Sequence, residues 1–442
     1  MIATVSLFGN PEVLVVGAGP AGATAARALA LAGVRVRLLD RAAFPRNKPC
    51  GGGISLRIVK RFPHLEPALA RISTHLLSRL HLEGPDGDAT VIESDGPAAL
   101  MIRRVEFDAL LVSLAVDAGV EVVNADIVQA HEERDRVVLT GRDGRRFEAP
   151  IVIAADGVHS IVARRLGLNP GWPATAIALD MMEETPRTAL RDLDPSTLWV
   201  AYGYATKSQR SSLNAQRVPE GYAYIFPKRD HVNIGIGYML SYYRASVDES
   251  PYELQRAFVD RLRARGIVAG ESVRRNFTPF LIPVGGPLKK PGRGRVLLAG
   301  DAGGFVNGFT AEGIYYAMVS GELAAKTVIE SAAPATLARR YTAACDYEIG
   351  AELRDSVLIQ RYLFADRRRI ASVIGGANRE PATRLILEFA AGRRTYRDVR
   401  LRLLSRAPLL AGRLVWGRVA AMAGAAARRK KVSPPRPGVT RM

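Results

Sequence analysis

The chain has 442 residues, with 62 Lys and Arg against 43 Asp and Glu, a formal net charge of +19. Hydrophobic residues at 48% and charged residues at 24% exclude a disordered or collagen-like chain, and the length suggests two or three domains. The charge is uneven: residues 391–442 hold 14 Lys and Arg and one acid, Asp398, so +13 lies in a basic tail and the body is near neutral. Two cysteines, Cys50 and Cys345, are too few for a disulfide framework, which favours a reducing compartment. No secretory signal pattern precedes Val13, and no apolar stretch approaches the roughly 20 residues of a membrane-spanning helix. A cytoplasmic location is expected.

Val13–Val16 is a short apolar run that predicts a buried strand, and Gly17-Ala18-Gly19-Pro20-Ala21-Gly22 follows at once. Ala23–Ala32 predicts a helix closed by Gly33, and Val34–Leu39 a second strand ending at Asp40. In such a βαβ opening Gly17 permits the tight turn, Gly19 lets the backbone approach a pyrophosphate, and Gly22 packs helix on strand. Pro20 and Ala21 open the helix, whose unpaired N–H groups and positive dipole end face the phosphates. Asp40 suits a ribose hydroxyl, and Arg41 beside it is a further candidate for cofactor binding. The motif predicts a dinucleotide without choosing between FAD and NAD.

Glu106–Ala118 predicts a helix with Phe107, Leu110, Leu111 and Leu114 on one face, followed by a strand at Val120–Val123. Alternation at Arg136–Thr140, the turn Gly141–Gly144 and the buried run Ile151–Ala154 complete an α/β region. From Thr175 to Leu240 the texture changes. Ser196–Tyr204, Tyr222–Phe226 and Val232–Tyr238 are aromatic or β-branched, with a hairpin turn at Lys228–His231, and predict an antiparallel sheet. Arg295–Ala299 then predicts a strand, Gly300–Thr310 a glycine-rich loop and Ala311–Ser331 a helix. Helical pattern continues from Pro334 to about Arg406, where Pro408 ends it, and Ser433–Gly438 is expected to lack structure.

Ile151–Gly157 carries a strand into Asp156-Gly157, and Val296–Gly304 another into Gly300-Asp301. In this order the three motifs resemble the p-hydroxybenzoate hydroxylase-type flavoproteins. That resemblance implies α/β plus antiparallel β: a Rossmann-type FAD-binding domain interrupted by an antiparallel-sheet substrate domain, then a helical C-terminal region. The expected boundaries are 1–80, 101–170 and 280–335 for the FAD domain, 81–100 and 171–279 for the substrate sheet, and 336–442 for the helical region with its basic tail. It also implies that Gly300 and Asp301 meet the flavin's sugar-alcohol chain. Arg104, four residues before Asp108, would contact FAD, the alternative being a solvated charge at a helix start. Asp156 is either an FAD contact or a structural turn cap.

A narrower resemblance follows. Phe44-Pro-Arg-Asn-Lys48-Pro-Cys50-Gly51-Gly52-Gly53 is similar to the Lys-Pro-Cys-Gly-Gly segment of the geranylgeranyl reductase family. Pro219–Pro227 resembles that family's P-x-x-Y-x-W-x-F-P motif, with Tyr224 where Trp is usual, and Gly300–Tyr315, including Gly313 and Ile314, reads like its extended Gly-Asp segment. The family implies a site role for Cys50, as proton donor or as a group positioning flavin or substrate, with Gly51 and Gly52 at the cofactor. An inert buried thiol is the alternative. Tyr222, Tyr224 and Phe226 share one strand face, read as a pocket wall for an isoprenoid chain, with ordinary sheet core as the alternative.

The function implied is an FAD-dependent reductase that saturates C=C bonds of a polyprenyl (geranylgeranyl-type) group on a lipid, quinone, pigment or diphosphate. An isolated C=C is unpolarised, so hydride at one carbon needs a proton donor at the other. A flavin monooxygenase that hydroxylates or epoxidises an aromatic or isoprenoid is the second reading, and a flavin-bearing membrane adaptor without turnover the third. Six His and two Cys lack zinc-ligand spacing, so no metal is expected. Gly235-Ile-Gly237 lacks a third glycine and a following helix, so NAD(P)H binds without its own domain or another reductant supplies the electrons. The tail interleaves Arg with Leu401, Leu403, Leu404, Leu409, Leu410, Leu414 and Trp416, which reads as peripheral contact with anionic lipid at the inner membrane surface. No nucleic-acid partner is expected, since no nucleic-acid module accompanies the arginines.

Overall fold

The computed structural model describes residues 12–205, 218–331, 334–376, 394–398 and 400–401. The strands that position the site are β1 (Val13–Val16), β2 (Val36–Asp40), β3 (Ile151–Ala154), β4 (Ala178–Pro186), β5 (Gly221–Pro227), β6 (His231–Met239) and β7 (Val296–Leu298). The helices are α1 (Pro20–Leu31), α2 (Arg104–Asp117), α3 (Ile314–Glu330) and α4 (Ala351–Leu363).

Among the described residues β1 sits inside a six-stranded sheet ordered Gly292–Arg293, β7, β3, β1, β2, Glu121–Asn124. Every pair is parallel except the Gly292–Arg293 edge. A parallel strand covered on both faces must be apolar throughout, which is why Val13–Val16 shows no alternation. Val13 and Val15 pack towards Leu29, Phe107 and Met318 of the helical layer, while Leu14 and Val16 pack towards Leu139 and Phe147 of a small antiparallel sheet over residues 127–149.

The second large sheet has seven strands, ordered Phe277–Ile282, β4, β6, β5, Thr197–Tyr202, Arg79–Glu83, Ala89–Glu93. It is antiparallel except where Thr197–Tyr202 runs beside Arg79–Glu83. Helix Pro251–Ala264 covers one face with Leu254, Phe258, Val259 and Leu262. That helix starts sharply because Ser250 and Glu253 form a capping box ahead of Pro251.

Several boundaries differ from the sequence reading. Helix α2 begins at Arg104 rather than Glu106, and α3 at Ile314 rather than Ala311. The Asn307 carboxamide accepts from the N–H groups of Phe309 and Thr310, and Ala311 lies at φ 56°, so the loop stays wound until Gly313. The helical stretch after Pro334 is interrupted by a π turn at Asp346–Gly350 and runs to Gly376 among the described residues. The leucine-bearing tail, apart from residues 394–398 and 400–401, lies outside them. No helix of the described residues is long and apolar enough to cross a membrane.

Helices α1 and α3 touch backbone to backbone. A Cβ on Gly321 would lie 2.1 Å from the Ala21 carbonyl oxygen, and one on Gly22 1.8 Å from that of Gly17. Gly321→Ala is therefore expected to separate the helices and lower stability by roughly 1–3 kcal/mol. A lower urea midpoint at unchanged m-value is the check.

Candidate active site

The loops after β1, β2, β3 and β7 leave the carboxyl edge of the parallel sheet together, where ligands of such sheets bind. Gly17 turns the chain at φ 95°, a left-handed conformation that glycine adopts without strain, and a Cβ there would strike the Ala155 carbonyl oxygen at 2.3 Å. Gly19 is open: a Cβ on it would meet only the Arg46 guanidinium, at 3.7 Å. The first turn of α1, from Pro20 through Ala21 and Gly22, begins beside that space, with N–H groups that have no intrahelical acceptor. Asp40 ends β2 and does more than expected, for its two carboxylate oxygens accept from the N–H groups of Ala18 and Ala42 at 2.7 and 2.8 Å. It holds the glycine loop and keeps lone pairs for a ligand. Arg41 beside it is exposed.

Asp156 serves as the structural turn cap, the second of the alternatives left open for it. Oδ2 accepts from the N–H groups of Ile161 and Val162 and caps the helix Ile161–Arg165, while Oδ1 is buried without a partner. The orphaned oxygen, the open face of Gly19 and the unpaired helix start fit a dinucleotide with ribose and phosphate groups to satisfy them.

Arg104 is no solvated charge. Its guanidinium makes a two-pronged contact with Asp108 at 2.6 and 2.8 Å, the carboxylate is fully buried, and Arg46 approaches the same group at 3.2 Å. The pair lies one helical turn apart on α2, so its spacing was readable in the sequence. Asp301, in the turn Gly300–Gly303 after β7, faces Lys48 and Arg104. Burial raises its carboxyl above the usual range, and those two cations oppose the rise. Gly300 stands at φ 61° with its α-carbon side against Ala21, and Gly313 and Ile314 begin α3 next to Asp301.

Cys50 lies between this cationic corner and the seven-stranded sheet. The Gly52 N–H points at its sulfur at 3.4 Å, and Lys48, Arg104 and Lys228 surround it. The glycines that follow Cys50 let neighbours come close: a Cβ on Gly51 would strike the Phe226 ring of β5 at 2.7 Å, and one on Gly52 the Ile102 carbonyl oxygen, in the adjacent strand Ala99–Ile102, at 2.1 Å. Lys228, buried, donates to Glu184 at 2.6 Å.

Tyr222, Tyr224 and Phe226 do share one face of β5, with consecutive ring centroids 6.1 and 4.6 Å apart. Their hydroxyls have partners. Tyr222 donates to the Thr310 carbonyl at 2.8 Å, tying the sheet to the loop after β7. Tyr224 reaches both oxygens of Asp180, at 3.0 and 3.3 Å. Asp180, Tyr222 and Tyr224 line a narrow cleft closed by Phe309, Phe364 and Ile282. Sequence reasoning missed Asp180, Lys228 and Asp108. A lone acid between Leu179 and Met181 on a strand was the available signal for Asp180, but only the fold shows what it faces.

Burial pushes the Asp180 carboxyl up to about 7, with the Tyr224 hydroxyl and Lys48 pulling the other way. The unfolded chain releases that proton near pH 4, so folding takes a proton up between about 4 and 7. Its stabilisation is complete below the unfolded value and is lost as pH rises through about 7. Asp180→Asn is expected to flatten the fall of stability with pH by up to about 1.4 kcal/mol per pH unit in that window, read from denaturation midpoints at successive pH values.

The chain is similar to known proteins. The FAD binding domain family matches residues 10–346. Menaquinone reductase of Mycobacterium tuberculosis is 32% identical over 350 residues, 76% of this chain and 82% of that one. Digeranylgeranylglycerophospholipid reductase 1 of Methanopyrus kandleri is 33% identical over 330 residues, 72% and 80% of the two chains. The crystal structure of a geranylgeranyl bacteriochlorophyll reductase-like protein from Thermoplasma acidophilum has the same fold, with a TM-score of 0.72 and 20% identity over 90% of this chain and 99% of that one.

Proposed function

The chain belongs to the geranylgeranyl reductase family of FAD-dependent oxidoreductases, and from that premise we propose that it saturates C=C bonds of a polyprenyl group held in the cleft beside Cys50. The observation that carries the reading is the aromatic face of β5, whose Tyr222 and Tyr224 line one narrow cleft and whose Phe226 end meets the Cys50-Gly51 segment beside the cationic corner. Reduced FAD supplies the hydride, and a flexible apolar chain needs the apolar wall that Tyr222, Tyr224 and Phe226 provide.

The residue roles follow from position. Gly17, Gly19, Pro20, Ala21, Gly22, Asp40, Arg41 and Asp156 would hold the nucleotide part of FAD. Gly51, Gly52, Arg104, Gly300, Asp301, Gly313 and Ile314 would hold the flavin part. Cys50 positions the reacting double bond, and Lys48 and Arg104 keep an electropositive setting around it. The electrons come from NAD(P)H or another reductant.

Anaerobically reduced protein mixed with geranylgeranyl-bearing substrates should reoxidise its flavin and yield products heavier by two hydrogens per double bond. Cys50→Ala should keep its FAD and slow that product at least roughly tenfold. A parent protein that shows no flavin reoxidation and no heavier product would refute the reading.

The substrate is water-insoluble, and the basic tail suits a protein that meets it at the cytoplasmic membrane surface. Support comes from the +13 charge of residues 391–442 and the leucines among its arginines. Deleting 391–442 should abolish co-sedimentation with anionic liposomes at low salt and leave FAD content unchanged. Unchanged co-sedimentation at low and high salt would place the membrane contact elsewhere.

A further inference from the structure

Tyr224 and Asp180 meet across a strand that should keep them apart. In register Asp180 lies opposite Gly237 and Tyr224 opposite Gly235, so β6 runs between the strands that carry them. Strands two apart are separated by about 9.5 Å, too far for side chains to meet over an intervening one. Here the intervening residues have none. A Cβ on Gly235 would sit 2.6 Å from both the Tyr224 Cζ and its Oη, and one on Gly237 3.7 Å from the Asp180 carboxylate. The Gly235-Ile-Gly237 pair that fails as a nucleotide loop is the gap through which the contact is made.

The pair faces the proposed substrate cleft and the groups around it are few. Tyr222 and Tyr224 come from β5 and Lys48 from the loop before Cys50, while the strand neighbours Gly237 and Phe280 carry no charge. Lys48 lies over the Phe280 ring at 4.7 Å. Asp180 makes no ion pair among the described residues at salt-bridge distance, unlike Asp108 and Glu184.

Resting on the reductase reading, we propose that Asp180 stores the proton that Tyr224 delivers to the substrate carbon not attacked by hydride. Hydride forms one new C–H bond. The π pair of the double bond forms the second with the Tyr224 hydroxyl proton, breaking that O–H bond. The Asp180 carboxyl then returns its proton to the phenolate oxygen, and water reprotonates the carboxylate once the product has left. Burial raises the Tyr224 hydroxyl well above its ordinary value, so a free phenolate is disfavoured and transfer from Asp180 must accompany delivery. At neutral pH the carboxyl, pushed up to about 7, still holds its proton in a large share of molecules.

The test uses FAD-loaded protein, parent and variants. In single turnovers from the reduced state, the parent's product rate should fall as pH rises through about 7. Asp180→Asn and Tyr224→Phe should each slow the rate by roughly 10²-fold or more at neutral pH and remove that fall, with FAD content retained. Gly235→Ala should do the same by pushing the ring off the carboxyl. Independent of turnover, infrared difference spectra should show a protonated buried carboxyl in the parent that titrates near pH 7 and is missing in Asp180→Asn. A parent that leaves the prenyl group unreduced sinks the reductase reading, and the proton path with it. An active parent whose pH profile is unchanged in Asp180→Asn, or whose infrared band is absent, sinks the proton path alone.

Discussion

Backbones approach one another in this protein more closely than side chains allow, and the site depends on it. Ala21 of the first helix lies against Gly321 of α3, which draws the start of α3 and the turn around Asp301 up to the glycine loop. Gly52 repeats the device against the Ile102 carbonyl, while Gly51 makes room for the Phe226 ring of β5 and Gly235 and Gly237 make room for the Tyr224–Asp180 contact within the sheet. Each glycine costs conformational entropy on folding and weakens the strand or helix that holds it. The return is a short distance between elements far apart in the chain: Ala21 to Gly321, Gly51 to Phe226, Asp180 to Tyr224.

Charge is arranged around the same corner with unequal satisfaction. Asp108, buried, and Glu184, half-buried, are answered by Arg104, Arg46 and Lys228 at hydrogen-bond distance. Removing one partner from such a pair leaves the other stranded in a poor solvent for ions. Asp180 and Asp301 have no such close cation, and burial raises both carboxyls. The paired acids are framework. The unpaired ones are where a proton or a ligand changes the energy.

A second buried network joins the helical region to this corner. Arg57 contacts Glu352 of α4 at 3.1 Å and the Tyr316 hydroxyl of α3 at 3.1 Å, and Tyr316 also donates to Glu352. Glu312, just ahead of α3, accepts from the Ser55 N–H. The residues after the Cys50 loop, the start of α3 and the C-terminal helices are thus held as one unit, so the C-terminal region supports the site rather than trailing from it.

The amino-acid sequence by itself determined the elements whose signal is local. The buried run Val13–Val16, the glycine loop, Asp40 at a strand end, the hairpin at Lys228 and the shared face of Tyr222, Tyr224 and Phe226 are all periodicity or turn chemistry within a dozen residues. The Arg104 to Asp108 spacing was local too. Only the tertiary structure decided that Asp180 meets Tyr224, that Lys228 and Arg104 converge on Cys50, and that Gly235 and Gly321 are spacers. Those facts are distances between segments 44 or more residues apart, as between Asp180 and Tyr224, and depend on strand register and on which side chain is missing in between. Periodicity states which face a residue occupies; it holds no information about what lies opposite.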